Sequence, residues 1–599
     1  MNRLKQSLRL GTLAGALATI ILIYLPTQFY GTNQNELSFP LSDALRWLYP
    51  TAIGIVAAIA VLGLLLPPLI ARVLGTLLAV LFLGAYFQSG ILNWNYGRLD
   101  GGNVFDWNNI RSWIDLLVWV VIAVGTCIYY RKFEGYFVWL AFVCASVMLL
   151  SAYSEQKTII EEQSALEWDW NRYSLDPESS FLFSPGKNII VLALDAVQND
   201  IAWDIVKSNP RMESQLEGFT WYRNATSGFR GTAVSVPEIL TGLAFENIGT
   251  FTEYREKAFR NAASLLPALR SRGFSVDLYP WLTKTSILPD PAIVSNLIAS
   301  DSSALFSGIT LLDYSLFRAA PHILKGYLYR NGRWLLHHRY RRTFLPNKED
   351  RMRMQFAQHN GPLSRDIQFR KEVAEGIQVN REQLTFKYYH LTGAHTRWDI
   401  DGMPWMKIDD ARVESSFLSR YQGDYDNVVR AYRKKVYYSF ESALALLDEL
   451  KRSGAYDNSI ILILGDHGAG EIEQLMSPAH PEDGHDQDFT VFPDDIARGI
   501  PLFLYKPAGA TGAMTWNDQP VQLGDTGSLI LAELDGNLDS ELAQVFEKNR
   551  RHGRSYRHYD WVKGYQDKLQ DFRKYRNTGH SWIAEDWKAV PDTETTESQ

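Results

Sequence analysis

Residues 459–471 read SIILILGDHGAGE, in which an apolar run from Ile460 to Leu464 ends abruptly at Gly465. The run is short, has no helical period and is bounded by turn residues, so it predicts a buried strand of a parallel sheet. In open α/β sheets, ligands bind just beyond the carboxyl ends of the strands. Asp466 and His467 follow on a tight turn there, where both could reach one cation. The alternative is a turn aspartate beside a surface histidine, and the dipeptide alone does not separate the two.

A second strand of the same kind is predicted in KNIIVLALDAVQND (187–200), where Asp195 stands at the end of the apolar run Ile189–Leu194. A doubly wound sheet could bring Asp195 together with Asp466 and His467. Strands and helices alternate through the rest of this half, which predicts a mostly parallel α/β sheet covered on both faces. The other predicted elements are a helix over 257–272, strands over 275–279 and 384–391, a helix over 424–453, a strand in 500–507 and a helix in 521–534.

The segment SGFRGTAVSVPEILTG (227–242) lies between these two strands in the sequence. Gly228 and Gly231 make its approach flexible, and a helix is predicted from about Ala233, so Thr232 should lie near the helix N-terminus. Free N–H groups and the positive end of the helix dipole make such a position a natural anion site. A hydroxyl there, beside a cation held by carboxylates, is a candidate activated nucleophile. The competing explanation is that Thr232 is simply the N-cap of the helix.

Composition limits the class of protein. The chain has 599 residues, 46% of them hydrophobic, which is enough for several domains and a large core. Its formal net charge of −7 and its lack of basic motifs argue against a nucleic-acid partner. The two cysteines, Cys127 and Cys144, both lie in apolar stretches of the N-terminal part, so no disulfide framework is expected elsewhere.

Five apolar stretches in the N-terminal part are each close to the length of a transmembrane helix, and they lie at about 9–29, 50–66, 69–88, 113–130 and 135–153. The first could be a signal peptide, but four further stretches favour an uncleaved anchor. The N-terminal tail and the loops after the second and fourth stretches hold six Lys or Arg residues, and the loops after the first and third stretches hold three. This bias predicts a cytoplasmic N-terminus and an external location after residue 154. We therefore expect a transmembrane domain (1–153), a linker (154–186), an extracytoplasmic domain (187–589) and a disordered tail (590–599).

The blocks KNIIVLALDAVQND, TAVSVPEILTG, AYDNSIILILGDHGAGE and RGIPLFLYKPAG resemble, in order, those of the sulfatase / alkaline-phosphatase superfamily. In the sulfatase block C-x-P-S-R-x-x-L-L-T-G, Thr232 takes the place of the Cys, and Ser235 and 240–242 match. With the five apolar stretches, the chain resembles the membrane-anchored branch: lipoteichoic acid synthases, phosphoethanolamine transferases and phosphoglycerol transferases, which use a Thr nucleophile. The resemblance implies an alkaline-phosphatase-like doubly wound sheet.

The resemblance also implies the site residues. Asp195, Thr232, Asp466 and His467 would bind one divalent metal ion, and three oxygens with one imidazole suit Mn²⁺, Zn²⁺ or Ca²⁺ without choosing between them. His395, in HLTGAHTRW, would hold the phosphoryl oxygens or protonate the leaving oxygen. A further histidine is expected after the Asp-His-Gly turn; His485 is the first choice and His480 the alternative, although either could lie on a surface loop. His390 lies inside a predicted strand and is expected to be a core residue or a support behind the ligands.

Two differences from the family bear on the reaction. The Cys that sulfatases convert to formylglycine is absent, and Val236 replaces the Arg of their motif, so a phosphoester is expected rather than a sulfate ester. Asp195 stands where phosphoethanolamine transferases have Glu, so that subfamily is not assigned. Some anchored relatives have lost the metal site and act as regulators, but Asp195, Thr232, Asp466 and His467 are all present here.

The expected function is that of a metal-dependent phosphoryl-group transferase or hydrolase in the bacterial inner membrane. It would act on a membrane lipid or a cell-envelope glycan, on the periplasmic side. Two alternatives stay open: a phosphodiesterase or phosphatase with water as acceptor, and a non-catalytic lipid-sensing regulator of the same fold. One segment lies outside this scheme. Residues 325–343 (KGYLYRNGRWLLHHRYRRT) are basic and aromatic, and they could rest on anionic headgroups or form a solvated helix in an insertion.

Overall fold

A computed structural model describes most of the chain. The described residues are 3–34, 37, 39–92, 94, 96, 109–165, 173–176, 178–279, 286–288, 290–299, 304–330, 334–344, 362–395, 424–469, 475–476, 490–491, 496–560 and 568–591. The chain divides into two compact units, which are described separately: the first unit comprises 1–174 and 298–361, and the second unit comprises 175–297 and 362–599.

The helices and strands of the described residues are numbered in chain order. The α-helices are α1 (Arg3–Ala18), α2 (Leu25–Asn33), α3 (Leu41–Leu65), α4 (Pro68–Gly90), α5 (Ile110–Ala165), α6 (Asn199–Lys207), α7 (Pro210–Gln215), α8 (Thr232–Thr241), α9 (Phe251–Arg260), α10 (Leu265–Ser271), α11 (Ala304–Ala319), α12 (His322–Tyr329), α13 (Leu335–Phe344), α14 (Pro362–Glu375), α15 (Asp424–Ser453), α16 (Thr526–Leu534) and α17 (Leu538–His552). The strands are β1 (Tyr173–Leu175), β2 (Leu182–Phe183), β3 (Asn188–Leu194), β4 (Thr220–Tyr222), β5 (Ala225–Thr226), β6 (Ser275–Tyr279), β7 (Leu297–Ala299), β8 (Gln378–Val379), β9 (Thr385–Leu391), β10 (Ser459–Leu464), β11 (Leu475–Met476), β12 (Thr490–Val491), β13 (Phe503–Lys506), β14 (Thr515–Asn517), β15 (Val521–Gln522), β16 (Arg554–Asp560), β17 (Gln570–Asn577) and β18 (Trp587–Val590).

Within the described residues of the first unit, four helical segments are long and apolar enough to cross a membrane: Arg3–Asn33, Leu41–Leu65, Pro68–Gly90 and Ile110–Glu161. The first of these is α1 joined to α2 through a π-helical turn, Thr19–Tyr24. Pro26, the second residue after that turn, has no N–H to donate, so the wider turn absorbs a missing backbone hydrogen bond. These segments match the first three predicted spans, whereas the last covers the fourth and fifth predicted spans together.

Helix α5 is interrupted by non-helical backbone at Phe133, between the two predicted spans. Before the break, Asp115 accepts a hydrogen bond of 2.8 Å from Gln88, near the end of α4, and Tyr130 contacts Gly75, near its start. After the break, Glu134 pairs with Arg9 at 2.7 Å and Gln156 donates to Thr27 at 2.8 Å, so this part runs parallel to α1 and α2. The two halves of α5 therefore run in opposite directions.

Residues 298–361 belong to the first unit, although the sequence predicted one continuous domain over 187–589. Helix α11 packs Gly308 against the ring of Trp47 on α3, and Arg318 near its end donates to the Ser89 carbonyl on α4 at 3.3 Å. Helix α12 is held by its first residue, whose backbone N–H donates to Asp115 at 3.0 Å. The predicted linker 154–186 also contains regular structure, since α5 continues to Ala165 and is followed by β1 and β2.

The second unit is built on a mixed, mostly parallel seven-stranded sheet with the order β14-β4-β13-β10-β3-β9-β6. Strands β10, β3, β9 and the edge strand β6 are all parallel, and β13 pairs antiparallel with both β10 and β4. Every residue of β3, β9 and β10 is buried, which explains the continuous apolar runs that identified them. The mostly parallel α/β architecture predicted from the sequence is confirmed.

One helix was predicted wrongly. The periodic stretch 257–272 forms two helices, α9 and α10, separated at Asn261–Ser264. Pro267 explains the interruption: it cannot donate a backbone hydrogen bond, so it is tolerated in the first turn of α10 but not in the interior of one longer helix. The other predicted helix of this region, 424–453, is present as α15.

Candidate metal and nucleophile site

The site is formed where three neighbouring parallel strands end side by side. In the sheet register, Leu464 of β10 lies beside Ala193 of β3, and Leu194 of β3 lies beside Leu391 of β9. Asp195 follows β3 directly, and Asp466 follows β10 after a single glycine. The carboxyl ends of the strands thus bring the two aspartates, which are 271 positions apart in the sequence, to one edge of the sheet.

Two histidines face the aspartates. His467 Nε2 lies 3.5 Å from Asp195 Oδ1 and 3.8 Å from Asp466 Oδ2. His390 Nε2 lies 3.5 Å from Asp195 Oδ2 and 3.7 Å from Asp466 Oδ2. All four side chains are buried, and these separations are longer than ordinary hydrogen bonds. The sequence treated His390 as a core or supporting residue, but the structure gives it the same relation to the two carboxylates as His467.

The hydrogen bonding of these side chains tests whether they suit a metal ion. Both carboxylate oxygens of Asp195, Oδ2 of Asp466 and Nε2 of His390 are buried without a hydrogen-bond partner among the described residues. Buried charged groups are costly unless they are paired or coordinate a metal. Two groups of ligand atoms, Asp195–His395–His467 and Asp195–His390–Asp466, each lie within 4.8 Å of one another. The donor set therefore fits a divalent cation with oxygen and imidazole ligands.

Neighbouring bonds orient the ligand atoms. Asp466 Oδ1 accepts from the backbone N–H groups of Ala196 and His467, both at 3.0 Å, which leaves Oδ2 directed at the histidines. His467 Nδ1 lies 2.7 Å from the Gly468 carbonyl, and donation there leaves Nε2 free to act as a ligand. A Cβ at Gly468 would lie 2.2 Å from the Ala497 carbonyl oxygen, so only glycine fits at this turn.

The turn after Asp195 is held by a residue that the sequence did not indicate. Ala196 has a φ of +58°, a left-handed conformation that is unfavourable for alanine. Tyr432 on α15 donates its hydroxyl to the Ala196 carbonyl at 2.6 Å and accepts from the Gln198 N–H at 2.9 Å. Because Tyr432 is one of several aromatic residues on an amphipathic helix, no sequence signal distinguished it.

Thr232 is the first residue of α8, and Gly231 occupies the N-cap position. The Thr232 side chain is therefore not the helix cap, which removes the alternative explanation for its position. Its hydroxyl lies 3.4 Å from His467 Nε2, at the positive end of the helix dipole. Ser235, one turn later, donates to the Asp466 carbonyl at 2.5 Å and ties α8 to the Asp466–His467 turn. This arrangement brings Thr232 to the edge of the carboxylate and imidazole cluster.

The charges in the cluster act on one another. Burial raises the pKa of Asp195, but His395, His390 and His467 outweigh that effect and hold its pKa at about 2. Burial lowers the pKa of His467, although the aspartates oppose the change. Asp195 is therefore ionised and His467 favours its neutral form, which are the protonation states of metal ligands.

His395 lies after β9 in a turn in which its N–H donates to the Thr392 carbonyl at 3.1 Å. Its ring centre is 6.0 Å from that of His467, and it is half-buried at the rim of the cluster. Of the predicted site residues, the structure thus brings Asp195, Thr232, His395, Asp466 and His467 together. His480 and His485 lie outside the described residues.

The family model named Sulfatase matches residues 187–521, more than half of the chain. No curated protein sequence matches this chain.

Similar solved structures include the lipoteichoic acid synthase LtaP from Listeria monocytogenes, with 12% identity and a TM-score of 0.35 over 71% of this chain and 91% of that one. An alkaline phosphatase superfamily protein from Vibrio parahaemolyticus has 12% identity and a TM-score of 0.34, over 71% of this chain and 85% of that one. The periplasmic domain of EcEptC from Escherichia coli, in complex with Zn, has 10% identity and a TM-score of 0.32, over 61% of this chain and 86% of that one.

Proposed function

The chain belongs to the sulfatase family, and on this premise we propose that it is a membrane-bound, metal-dependent enzyme that transfers or hydrolyses a phosphoryl-containing group. The observation that carries the proposal is the contact of the Thr232 hydroxyl, 3.4 Å from His467 Nε2, beside carboxylate oxygens that have no hydrogen-bond partner among the described residues. A phosphoester is favoured over a sulfate ester because residue 232 is Thr, which cannot become formylglycine.

Asp195, Asp466 and His467 would hold the cation, with His390 as a fourth candidate ligand. A bound divalent cation supplies Lewis acidity, which lowers the pKa of a neighbouring hydroxyl and offsets charge on the transferring group. Thr232 gives up its hydroxyl proton to solvent and Oγ1 attacks phosphorus, and the bond from phosphorus to the leaving oxygen breaks as the bond to Thr232 forms. His395, at the rim, gives a proton to that leaving oxygen. An acceptor hydroxyl or water then passes its proton to His395 and attacks the phosphothreonine, and Thr232 leaves and takes up a proton from solvent.

We further propose five membrane passes, in the bacterial inner membrane, with the second unit on the external side. The reversal of α5 at Phe133 supports the odd number. The orientation is supported by the basic residues at one end of the bundle, where Arg3 donates to the Leu64 carbonyl and Arg9 pairs with Glu134. A phosphatase reporter fused after residue 160 should be active and one fused near Arg131 inactive; the opposite pattern would contradict this orientation.

A membrane anchor suits a substrate that is itself a lipid or an envelope glycan carrying a phosphoester. Mass spectrometry of the envelope glycolipids of a deletion strain would separate transfer from hydrolysis, because only transfer leaves a glycolipid lacking one substituent. A non-catalytic lipid sensor would instead show no change in these molecules and no turnover of a phosphodiester.

The nucleophile is tested by covalent trapping with a labelled phosphodiester. Wild type should gain mass on the peptide that contains Thr232. Thr232→Ala should not, and its turnover should fall on the order of 10⁴–10⁶-fold, as for other lost nucleophiles. Thr232→Ser should keep part of the activity. The matched control is Thr241→Ala at the other end of α8, where the hydroxyl donates to the Pro237 carbonyl and accepts from the Leu243 N–H; it should turn over normally. Label on Ser235 would place the attack on a different hydroxyl.

A further inference from the structure

Helix α12 in the first unit exposes apolar side chains and buries a charged one, the opposite of what is expected for a helix in water. Ile323, Leu324 and Tyr327 are 50%, 51% and 59% exposed, and their spacing puts them on one side of the helix. His322, Lys325 and Tyr329 are buried on the other side. A helix at a protein surface in water normally turns its charged residues outward and its apolar residues inward.

The buried side of α12 is fixed by specific contacts. Lys325 Nζ donates to the Phe317 carbonyl and, at 3.4 Å, to the Arg318 carbonyl, both in the last turn of α11. The same ammonium lies 4.6 Å from the ring centre of Phe317 and 5.4 Å from that of Tyr96. Since Lys325 is bound to the end of α11, α12 cannot rotate to expose it, and the apolar side must remain outward.

The position of α12 along the bundle follows from its first residue. The His322 N–H donates to Asp115 Oδ2 at 3.0 Å, and Asp115 lies in the second turn of α5, one of the candidate membrane spans. Asp115 is buried, whereas Trp113 and Leu117, on the other side of α5, are 62% and 64% exposed. Helix α12 therefore begins at the end of a span whose outer side is apolar and exposed.

We propose that α12 is an interfacial membrane helix, whose exposed side lies in the headgroup–acyl boundary of the bilayer that the spans cross. The bilayer is favoured as the occupant because Asp115 fixes the start of α12 at the end of a candidate membrane span, within a turn of the exposed Trp113 and Leu117. Tyr327 is of the residue type that is enriched at this boundary. Arg330, exposed at the C-terminal end of α12, is placed to meet lipid phosphates.

One consequence concerns how the chain is tethered. The insertion 298–361 leaves the second unit within β7 and returns to it at α14. The chain therefore crosses between the two units twice at this insertion and once in the segment that follows α5. This inference rests on the membrane anchor and not on the proposed chemistry, so the two can fail independently.

The test uses the full chain in lipid nanodiscs of phosphatidylcholine and phosphatidylglycerol, with Cys127 and Cys144 replaced by Ala. A fluorophore is attached at Leu324→Cys, and in a second protein at Tyr327→Cys on the same side. Quenching by brominated lipid is compared with quenching by aqueous iodide. Leu117→Cys on α5 gives the value for a lipid-facing position, and Ala543→Cys, exposed on α17, gives the value for water.

Both α12 labels should behave like the Leu117 label, with strong quenching by brominated lipid and loss of most iodide quenching. Iodide quenching equal to that at Ala543 would overturn the proposal, because the side would then face water. Protection from both quenchers would also overturn it, since a second copy, a partner protein or another segment of this chain would then cover α12. Because both positions are about half exposed, their replacement leaves the core intact, and the two labels must agree.

Discussion

In the second unit, carboxylate and imidazole atoms are fully buried without a hydrogen-bond partner among the described residues, whereas in the first unit large apolar side chains are exposed. Asp195 and Asp466 have no exposed surface and retain three carboxylate oxygens that accept no hydrogen bond among the described residues. On α5, by contrast, Trp139 is 64% and Leu150 71% exposed. Both distributions would be unfavourable for a protein in water alone.

The buried carboxylate oxygens and the exposed apolar side chains call for two different environments. Buried anionic oxygens are stable beside a cation, and exposed Leu and Trp are stable in lipid. Apolar sequence alone does not separate these cases, because β3 and α5 are both rich in Ile, Val and Leu. The difference is length and enclosure: β3 is seven residues long and buried throughout, and α5 is 56 residues long with an outward apolar surface.

The largest effect is expected from Asp466→Asn, which tests whether the buried oxygens hold a cation. The amide oxygen can still accept from the Ala196 and His467 N–H groups, so the turn should keep its conformation. The loss of the negative charge should abolish both stoichiometric metal and turnover. Metal analysis of the purified full chain, together with activity on a phosphodiester, checks both.

A second prediction for Asp466→Asn concerns the thermal stability of the metal-free protein. Without metal, Asp466→Asn should melt at or above the temperature of metal-free wild type, because one of two facing buried carboxylates is gone. Asp448→Asn, on an exposed position of α15, is the matched control and should retain metal and turnover. Stoichiometric metal in Asp466→Asn would show that the carboxylate oxygens without a hydrogen bond among the described residues have another explanation.

A smaller effect sharpens the difference between a residue enclosed by protein and one that faces lipid. Leu192→Ala, at the centre of β3, should cost about 2–5 kcal/mol, since it removes fully buried methyl groups and leaves a cavity. Leu150→Ala on α5 should change stability by no more than about 0.5 kcal/mol, as is usual for exposed positions. Protease protection of the full chain in nanodiscs during a thermal ramp measures both. Equal losses would mean that Leu150 is enclosed by protein after all.

The central strands could be predicted because a strand buried on both faces needs a continuous apolar run, and the runs ending at Asp195 and Asp466 meet that condition. The same property hid His390. In a strand buried on both faces, alternation does not separate core from site, and only the register, which sets His390 beside Ala193, brings it to the strand ends. Register depends on pairing between distant segments, which one sequence does not reveal.

The sequence placed residues 298–361 within 187–589 and gave no sign that they group with the first unit, for a related reason. Nothing local indicates that α11 packs on α3 and α4 of the first unit. That association depends on contacts such as Gly308 with Trp47, which join positions far apart in the chain. The break between α9 and α10, by contrast, could have been predicted, because Pro267 stands inside the periodic stretch.

The smallest expected effect concerns Glu238, a carboxyl group buried in the second unit. Its Oε1 accepts from Gln522 Nε2 at 3.1 Å, and its Oε2 has no hydrogen-bond partner among the described residues. A Cβ on Gly228 would lie 2.0 Å from Oε2, so this glycine gives the carboxyl group its space. Burial raises the pKa of Glu238 to about 7; Arg557 opposes the shift, and Asp525 and Glu246 add to it.

The raised pKa of Glu238 determines the direction in which the free energy of unfolding changes with pH. Between the ordinary pKa of 4.5 and about 7, the folded protein keeps a proton on Glu238 that the unfolded chain has lost. Stability should therefore fall as pH rises through this window, by at most about 3 kcal/mol, at 1.36 kcal/mol per pKa unit. Glu238→Gln keeps an uncharged group of the same shape, so it should match wild type near pH 4.5 and exceed it above pH 7. Chemical unfolding of the two proteins at pH 4.5, 6 and 8 measures the difference, and parallel curves over this range would mean that Glu238 is ionised in the folded protein.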